Sequence, residues 1–487
     1  MQCRGTLPVS ALCGRSVGLI KATFGLRSST LFETQAGAKH DAPSGSGLRS
    51  PSVDVTNKRI SPLSAMSLTR LLGFGRWRRA ILSPSGSTAA RRCFHSSRQH
   101  HNALESEKLK VLFMGRDEFS CLVLRELYAA SDVWQELVVV TNQDQRVGRR
   151  ASQVSVSPLK LLAQDLKNVR LEYIPDTKPE FRKWELPAPF SSYRYSSSEH
   201  ENGINHEPPP PSQHVLVTAS FGRILTRKHL SRFLPSRRLN VHPSLLPQYR
   251  GPAPIQHSIM NGDPETGVCV IEMLDAVKKD AVSPKAGIDA GDIWASMKMA
   301  QPATADFAQM RDALAVEGGK LLVGVLRKMK QGIEGTPRSQ IQPGSQVVLR
   351  PAPMIHLQDA FVDPAKMVAE QVCQKWRAIA HQRPIFTYRA EHHGEKDKAV
   401  QLHGLQLLPP GSSSHVEAAL PQEPGSAICT STEKGQPKRI FVRCEGGGIF
   451  AISSVKPAGK PVLPAADYWN GIKDKRKDGS IKFGSTL

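Results

Sequence analysis

Paired cysteines are missing from this chain. Its eight cysteines (Cys3, Cys13, Cys93, Cys121, Cys269, Cys373, Cys429 and Cys444) are scattered over 487 residues, and no two stand as C-x-x-C. Neither a zinc site nor a disulfide framework is indicated by such spacing, so reduced, mostly buried thiols are expected. No apolar run approaches the roughly 18 residues that a membrane-spanning helix needs, which argues against membrane insertion. Internal repeats are absent. "MGRDEF", the turn after the first apolar run of the body, holds one glycine and falls short of the G-x-G-x-x-G dinucleotide fingerprint.

Acidic residues are scarce at the N-terminus. Residues 1–100 carry 12 Arg and 3 Lys against Glu33, Asp41 and Asp54, a net +12 of the chain's +22. Rich in Arg, Ser and Gly and without core periodicity, residues 1–105 have the composition of a mitochondrial transit segment and are expected to be disordered. The local candidate is "MSLTRLLGFGRWRRAILS" from Met66. There Leu68, Leu71, Leu72 and Ile81 share one helix side, and Arg70, Arg76, Arg78 and Arg79 supply charge. "RRCFHSS" then offers a processing site after Phe94, which puts the presequence at 66–94 and leaves Met1 and Met66 as alternative starts. A generic basic tail is the plainer reading. If the segment is an address, the import machinery is a partner and the destination is the mitochondrial matrix.

With 39% hydrophobic and 22% charged residues, the rest of the chain can build two or three ordinary domains. From residue 109, "LKVLFMG", "ELVVVTN", "VRLEYIP", "HVLVTAS", "RLNVHPS" and "TGVCVIEML" read as apolar strands, with helical stretches such as "EFSCLVLRELYAA" and "SPLKLLAQDL" between them. Ser157 is the expected cap of the latter. Such alternation predicts a parallel sheet covered on both faces, with ligands at the carboxyl ends of its strands. Residues 191–213 read as a proline-rich surface insertion, and 304–332 as a long amphipathic helix. A linker (333–349) leads to short strands between turn signals, consistent with a small β-barrel at 350–472, and a basic tail closes the chain at 473–487.

Asn240 and His242 stand two apart at the end of one of these strands, so both point to one face. Pro243 ends the ladder and Gly251 frees the backbone, which exposes the pair to a cleft. Taken singly, each residue has a bland explanation as a strand-end cap or a core histidine.

The stretch "NVHPSLLPQYRGPAPIQ" and, further on, "GIDAGDI" change that balance. Together with "VLFMGRDEFS", "VVVTNQDQRVGRRASQVSVSPLKLLA", "GDPETGVCVIEM" and "VKPAGKPVLPAADYWNG" they resemble, in order from about 109 to 472, the folate-dependent formyltransferases. The resemblance implies an α/β catalytic domain (106–332) with a Rossmann-like, mostly parallel sheet, followed by an OB-like β-barrel. It implies formyl transfer from 10-formyltetrahydrofolate to an amine, without a metal. Asn240 would donate to the formyl oxygen as charge develops, His242 would assist there and in proton transfer, and Asp289 would orient and charge-balance His242. Ser244, Leu245, Leu246, Pro247, Gly287 and Gly291 would shape the folate and formyl pocket.

The extra barrel, the lack of room for a second large catalytic domain and the Arg250–Gly251 pair favour the family branch that acts on initiator methionyl-tRNA. "QRVGRR" resembles that branch's acceptor-end loop, with Arg146, Arg149 and Arg150 as phosphate partners. Arg250 and the basic residues Lys473, Lys475, Arg476 and Lys477 would add tRNA contacts. A monomer is expected. The alternatives are a formyltransferase on a smaller amine and a catalytically lapsed RNA-binding protein. "LDAVKKDAVSPKA" (274–286) departs from the family pattern and must loop out if Asp289 is to meet His242, with Asp275 or Asp280 as substitutes if the motif has slipped.

Overall fold

Strand β1 (Leu109–Met114) is apolar at every position except Lys110, and both of its faces are covered. Leu109, Val111 and Phe113 join one core cluster while Leu112 and Met114 join another. Alternate residues of a strand face opposite ways, so a strand with apolar residues at both parities belongs in a sheet between two layers. The same division holds in β2 (Trp134–Asn142) and β6 (His214–Ala219).

This computed structural model describes residues 107–195, 207–274, 287–333, 335–340, 348–390 and 398–484. The expected transit segment, residues 196–206 of the insertion, and residues 275–286 with Asp275 and Asp280 lie outside them. The ends of the described insertion meet, with Arg194 N donating to Pro208 O at 3.0 Å.

After β1 come α1 (Glu118–Ala129), β2, the hairpin β3 (Gln145–Val147) and β4 (Gln153–Ser155), α2 (Pro158–Asp165), β5 (Val169–Ile174) and α3 (Lys178–Lys183). Then follow β6, α4 (Arg227–Leu230), β7 (Arg238–His242), α5 (Pro254–Met260), β8 (Glu265–Glu272), β9 (Ile293–Ala300) and α6 (Phe307–Lys330). The sheet order is β5-β2-β1-β6-β7-β8-β9. The first five strands pair in parallel, as the alternation predicted.

Strand β8 corrects that expectation, because it runs antiparallel to β7, and β9 runs antiparallel to β8. Residues 243–264, with α5 among them, join the two strands at one edge of the sheet instead of crossing it, as neighbours in an antiparallel pair allow. Strand β9 was not anticipated; its middle residues are exposed, so it lacks the apolar run of the central strands. Ser157 holds the cap position of α2 but makes no cap bond. Its hydroxyl instead donates to Arg116 O at 2.7 Å, tying the loop after β1 to α2.

Helix α6 starts behind an Asp306–Gln309 capping box and crosses the sheet behind β7. At Gly318 any Cβ would lie 2.8 Å from Val241 Cγ1, so only glycine lets the helix approach this closely. Leu239 and Val241 thereby face α6, which leaves Asn240 and His242 on the opposite face.

The C-terminal unit comprises α7 (Ala369–Ile379), β10 (Phe386–Arg389), β11 (Lys398–Leu408), α8 (Ser414–Ala419), β12 (Ser426–Thr430), β13 (Arg439–Arg443), β14 (Ile449–Pro457), β15 (Leu463–Pro464), α9 (Ala465–Asn470) and β16 (Ile481–Lys482). Its sheet runs β10-β11-β14-β13-β12-β16. Bonds from Ala390 N to Lys482 O (3.0 Å) and from Gly484 N to Tyr388 O (2.9 Å) bring its two edges together into a nearly closed barrel.

The expected basic tail is therefore corrected: up to residue 484 it is barrel wall, with Phe483 fully buried in the core. The misreading has a simple cause, since the charged turn 473–478 hides one short apolar strand. Truncating a fully buried phenylalanine costs about 3–5 kcal/mol. Phe483→Ala should lower the stability measured by urea unfolding by that amount, whereas a solvated tail would leave the midpoint unchanged.

Candidate active site

Asn240 and His242 project from β7 at the carboxyl edge of the parallel strands. Thr218, the cross-strand partner of Asn240 on β6, donates its hydroxyl to Asn240 Oδ1 at 2.8 Å. With the oxygen engaged, the amide's NH2 is the end turned to the site. It reaches Asp289 Oδ1 at 3.4 Å, a weak hydrogen bond.

His242 is 4% exposed, and its Nε2 lies 3.0 Å from Tyr249 O. A carbonyl only accepts, so Nε2 carries the hydrogen and the neutral ring has its lone pair on Nδ1. That Nδ1 stands 3.7 Å from Asp289 Oδ2. Gly251 N donates to the same oxygen at 3.2 Å. Asp289, expected from the acidic motif, is thus brought to the strand-end pair, although residues 275–286 precede it in the chain.

Two loops support the carboxylate, and both strain the backbone. Asp289 has φ +58°, in the left-handed region that is costly for a residue with a Cβ. Gly251 has φ +122°, and a Cβ there would lie 2.5 Å from Ala352 O, so the position accepts only glycine. Ala352 N donates to Arg250 O at 2.9 Å and Ala253 N to Ala352 O at 3.2 Å, which zips this loop to the chain entering the barrel domain. Tyr249 anchors the loop further, its hydroxyl meeting Asp263 and receiving a bond from Asn261 Nδ2 at 2.9 Å.

The expected pocket residues divide. Ser244 is fully buried and donates to Gln248 O at 2.7 Å, closing its own turn. Leu246 packs with Cys269, Ile271 and Ile293. Gly291 is buried so tightly that a Cβ would fall 1.8 Å from Glu272 O. These three hold the framework, while Leu245 and Pro247 are half-buried and Gly287 is exposed.

The expected RNA-facing residues divide as well. Arg146 and Arg150 are exposed on the β3–β4 hairpin and its turn, and Arg149 lies in the same turn. The hairpin follows the carboxyl end of β2, so it leaves the sheet at the same edge as Asn240. Lys473 and Lys477 are exposed. Lys475 lies over the Trp469 ring, and Arg476 pairs with Glu423 at 2.6 Å, so both serve the barrel itself.

Arg250 departs from its expected role. It turns inward, half-buried, with Nε donating to Gln340 Oε1 at 2.8 Å and Nη2 buried without a partner. Burial pushes its pKa down, and the Asp289 charge partly restores it. Sequence reasoning missed Thr218, Tyr249 and Gln340. The first lies beside Asn240 in sheet register, while the other two act through the backbone or from the linker, where no motif marks them.

The wall next to β7 is built by the turns after β1 and β6. Asp117 caps α1 by accepting from Ser120 N at 3.2 Å, and the Ser220 hydroxyl donates to its other oxygen. Burial of this half-covered carboxyl raises its pKa, and the bonds from Ser220 and Ser120 offset that only in part. A carboxyl with a raised folded-state pKa contributes stability below its unfolded pKa, and that contribution is lost as pH rises through the folded value. Asparagine keeps the cap and cannot ionise. Asp117→Asn should therefore gain stability relative to the parent as pH rises above the ordinary aspartate value; unfolding midpoints that stay parallel across that range would rule this out.

Residues 109–326 match the family model described as formyl transferase, and residues 354–473 match the formyl transferase C-terminal domain. The methionyl-tRNA formyltransferase of Lactiplantibacillus plantarum is 30% identical over 370 residues, spanning 76% of this chain and 97% of its own. That of Streptococcus sanguinis is 29% identical over 387 residues, spanning 78% and 99%. Among solved structures, a sugar 3N-formyl transferase crystallised with dTDP and 5-N-formyl-THF aligns at TM-score 0.43 and 14% identity, over 73% of this chain and 100% of its own, too distant for residue-level comparison.

Proposed function

The chain belongs to the formyltransferase family and is a formyl-transferring enzyme, and from that premise we propose that it moves the formyl group of 10-formyltetrahydrofolate to the amino group of methionyl-tRNA. In this reading it works in the mitochondrial matrix, and the product serves translation initiation there. The observation that carries the reading is the convergence of Asn240 Nδ2, His242 Nδ1 and the Asp289 carboxylate at one strand end, beside a hairpin of exposed arginines. Near full-length similarity to two tRNA-directed relatives supports the choice of acceptor. The acid-poor composition of residues 1–100 supports the matrix location.

In this reading each group has a task. Asn240 Nδ2 has a second hydrogen beyond the one aimed at Asp289, and it donates to the formyl oxygen as negative charge gathers there. A well-placed donor of this kind contributes about 10²–10³-fold in rate. His242 Nδ1 takes the proton that the amine releases as its bond to the formyl carbon forms. It returns a proton to the folate nitrogen as the old bond breaks. While the ring holds that proton its positive charge faces Asp289, and general acid–base help of this sort contributes about 10²–10⁴-fold. Arg146 and Arg150 neutralise acceptor-stem phosphates.

Labelled formyl transfer tests this directly, with charged methionyl-tRNA and glycinamide ribonucleotide offered in parallel. The label should reach the tRNA alone. Asn240→Ala should lower kcat by about 10²–10³-fold with tRNA affinity nearly unchanged. The double variant Arg146→Ala/Arg150→Ala should do the reverse, weakening tRNA use and flattening its salt dependence by about one unit of slope per arginine. Label on the smaller amine, or tight tRNA binding without transfer, would overturn the proposal.

A further inference from the structure

The segment between the two domains contributes a side chain, Gln340, that bonds to both loops at the site. Gln340 Nε2 donates to Asp289 O at 2.8 Å and to Gly291 O at 2.6 Å, while its Oε1 accepts from Arg250 Nε. Both hydrogens and the oxygen of one amide are therefore spent on the two loops that meet at the Asp289 carboxylate. Few side chains other than an amide of this length can donate twice and accept once in one plane. The backbone around it is fixed too. Arg338 pairs with Ile293 by two bonds of 2.8 Å, extending the sheet by one bridge beyond β9.

Asp289 needs this support. It sits outside any strand, in the left-handed region that aspartate enters more readily than most residues with a Cβ, so no ladder bonds hold its backbone. Its carboxylate is placed by its backbone, and the backbone carbonyl is what Gln340 grips. The opposite face of the site, the Arg250–Gly251 loop, is gripped by the same residue through Arg250. Gln340 thus touches both of the loops that bring Asp289 Oδ2 and Gly251 N together beside His242 Nδ1.

We propose that Gln340 is a positioning residue for formyl transfer: it touches no reacting atom, and it sets the placement of Asp289 against His242. The inference rests on the formyl-transfer reading above. It makes residues 338–340, after the long helix of the catalytic domain, part of what holds the site in shape.

Two variants of the full-length enzyme separate this role from simple packing. Gln340→Ala removes all three bonds. Gln340→Glu keeps the size and the Arg250 partner but sets a carboxylate against two carbonyl oxygens. Both should lower kcat by about 10–10²-fold, the loss expected for a small misplacement of reacting groups. The KM values for folate and tRNA should stay within about threefold, because neither variant removes a binding contact. In native-state hydrogen exchange, the Gly251 amide, which donates to Asp289, should exchange faster in both variants. The amides of β1 and β6 should exchange as in the parent enzyme.

Unchanged kcat and unchanged Gly251 exchange in Gln340→Glu would overturn the inference. So would a kcat loss accompanied by faster exchange throughout the sheet, which is the signature of a structural defect. If the parent enzyme transfers nothing to methionyl-tRNA, the functional reading fails instead, and Gly251 exchange alone then decides whether Gln340 positions the loop.

Discussion

The Asp289 carboxylate is the point where three separate pieces of chain meet. Strand β7 brings Asn240 and His242, the loop after it brings the Gly251 amide, and the linker holds Asp289 from behind through Gln340. A left-handed backbone at a residue with a Cβ costs about 1–3 kcal/mol. One charge-assisted hydrogen bond from a backbone amide returns about 1.5–3 kcal/mol. Strain and support therefore nearly balance, and the loop keeps its conformation only while its partners stay in place. Glycine at 251 and 291 follows from the same demand, since a side chain at either would strike a neighbouring carbonyl.

The sheet supplies the rigidity that this balance needs. Its central strands are buried on both faces, so their register cannot slip by one residue without sending apolar side chains into the wrong layer. On β7 the same rule separates Leu239 and Val241, which meet α6, from Asn240 and His242, which meet the site. The Thr218 hydroxyl on the next strand turns the Asn240 amide by occupying its oxygen. Orientation of the Asn240 amide is thus decided by strand register. The antiparallel return of β8 leaves the loop 243–253 at the carboxyl edge, where Tyr249 O and Gly251 N reach His242 and Asp289.

Much of this was legible in the sequence wherever it depends on short-range pattern. Period-two placement put Asn240 and His242 on one face, runs of Val, Ile and Leu marked the central strands, and turn signals marked the barrel's strands except β15 and β16. What escaped depends on distance. The direction of β8 depends on the path that residues 243–264 take, and nothing in "TGVCVIEML" carries that information. Strand β9 has an exposed middle and no apolar run. Arg250 reads as a surface cation, and only the folded loop shows it turned toward Gln340. Lys475 and Arg476 read as a free tail because their partners, Trp469 and Glu423, are recognised only once the barrel closes. Gln340 lies in a stretch whose composition says linker, and its partner Asp289 is 51 residues earlier.

The central claim is that the Asp289 carboxylate organises the transfer through His242 and Asn240. Single-turnover formyl transfer to methionyl-tRNA by Asp289→Asn tests it most directly, because the change keeps the side chain's size and removes its charge. The rate should fall by about 10²–10⁴-fold, with folate and tRNA binding nearly unchanged. A rate within a few-fold of the parent enzyme would contradict it, and would move the proton-handling role to another group.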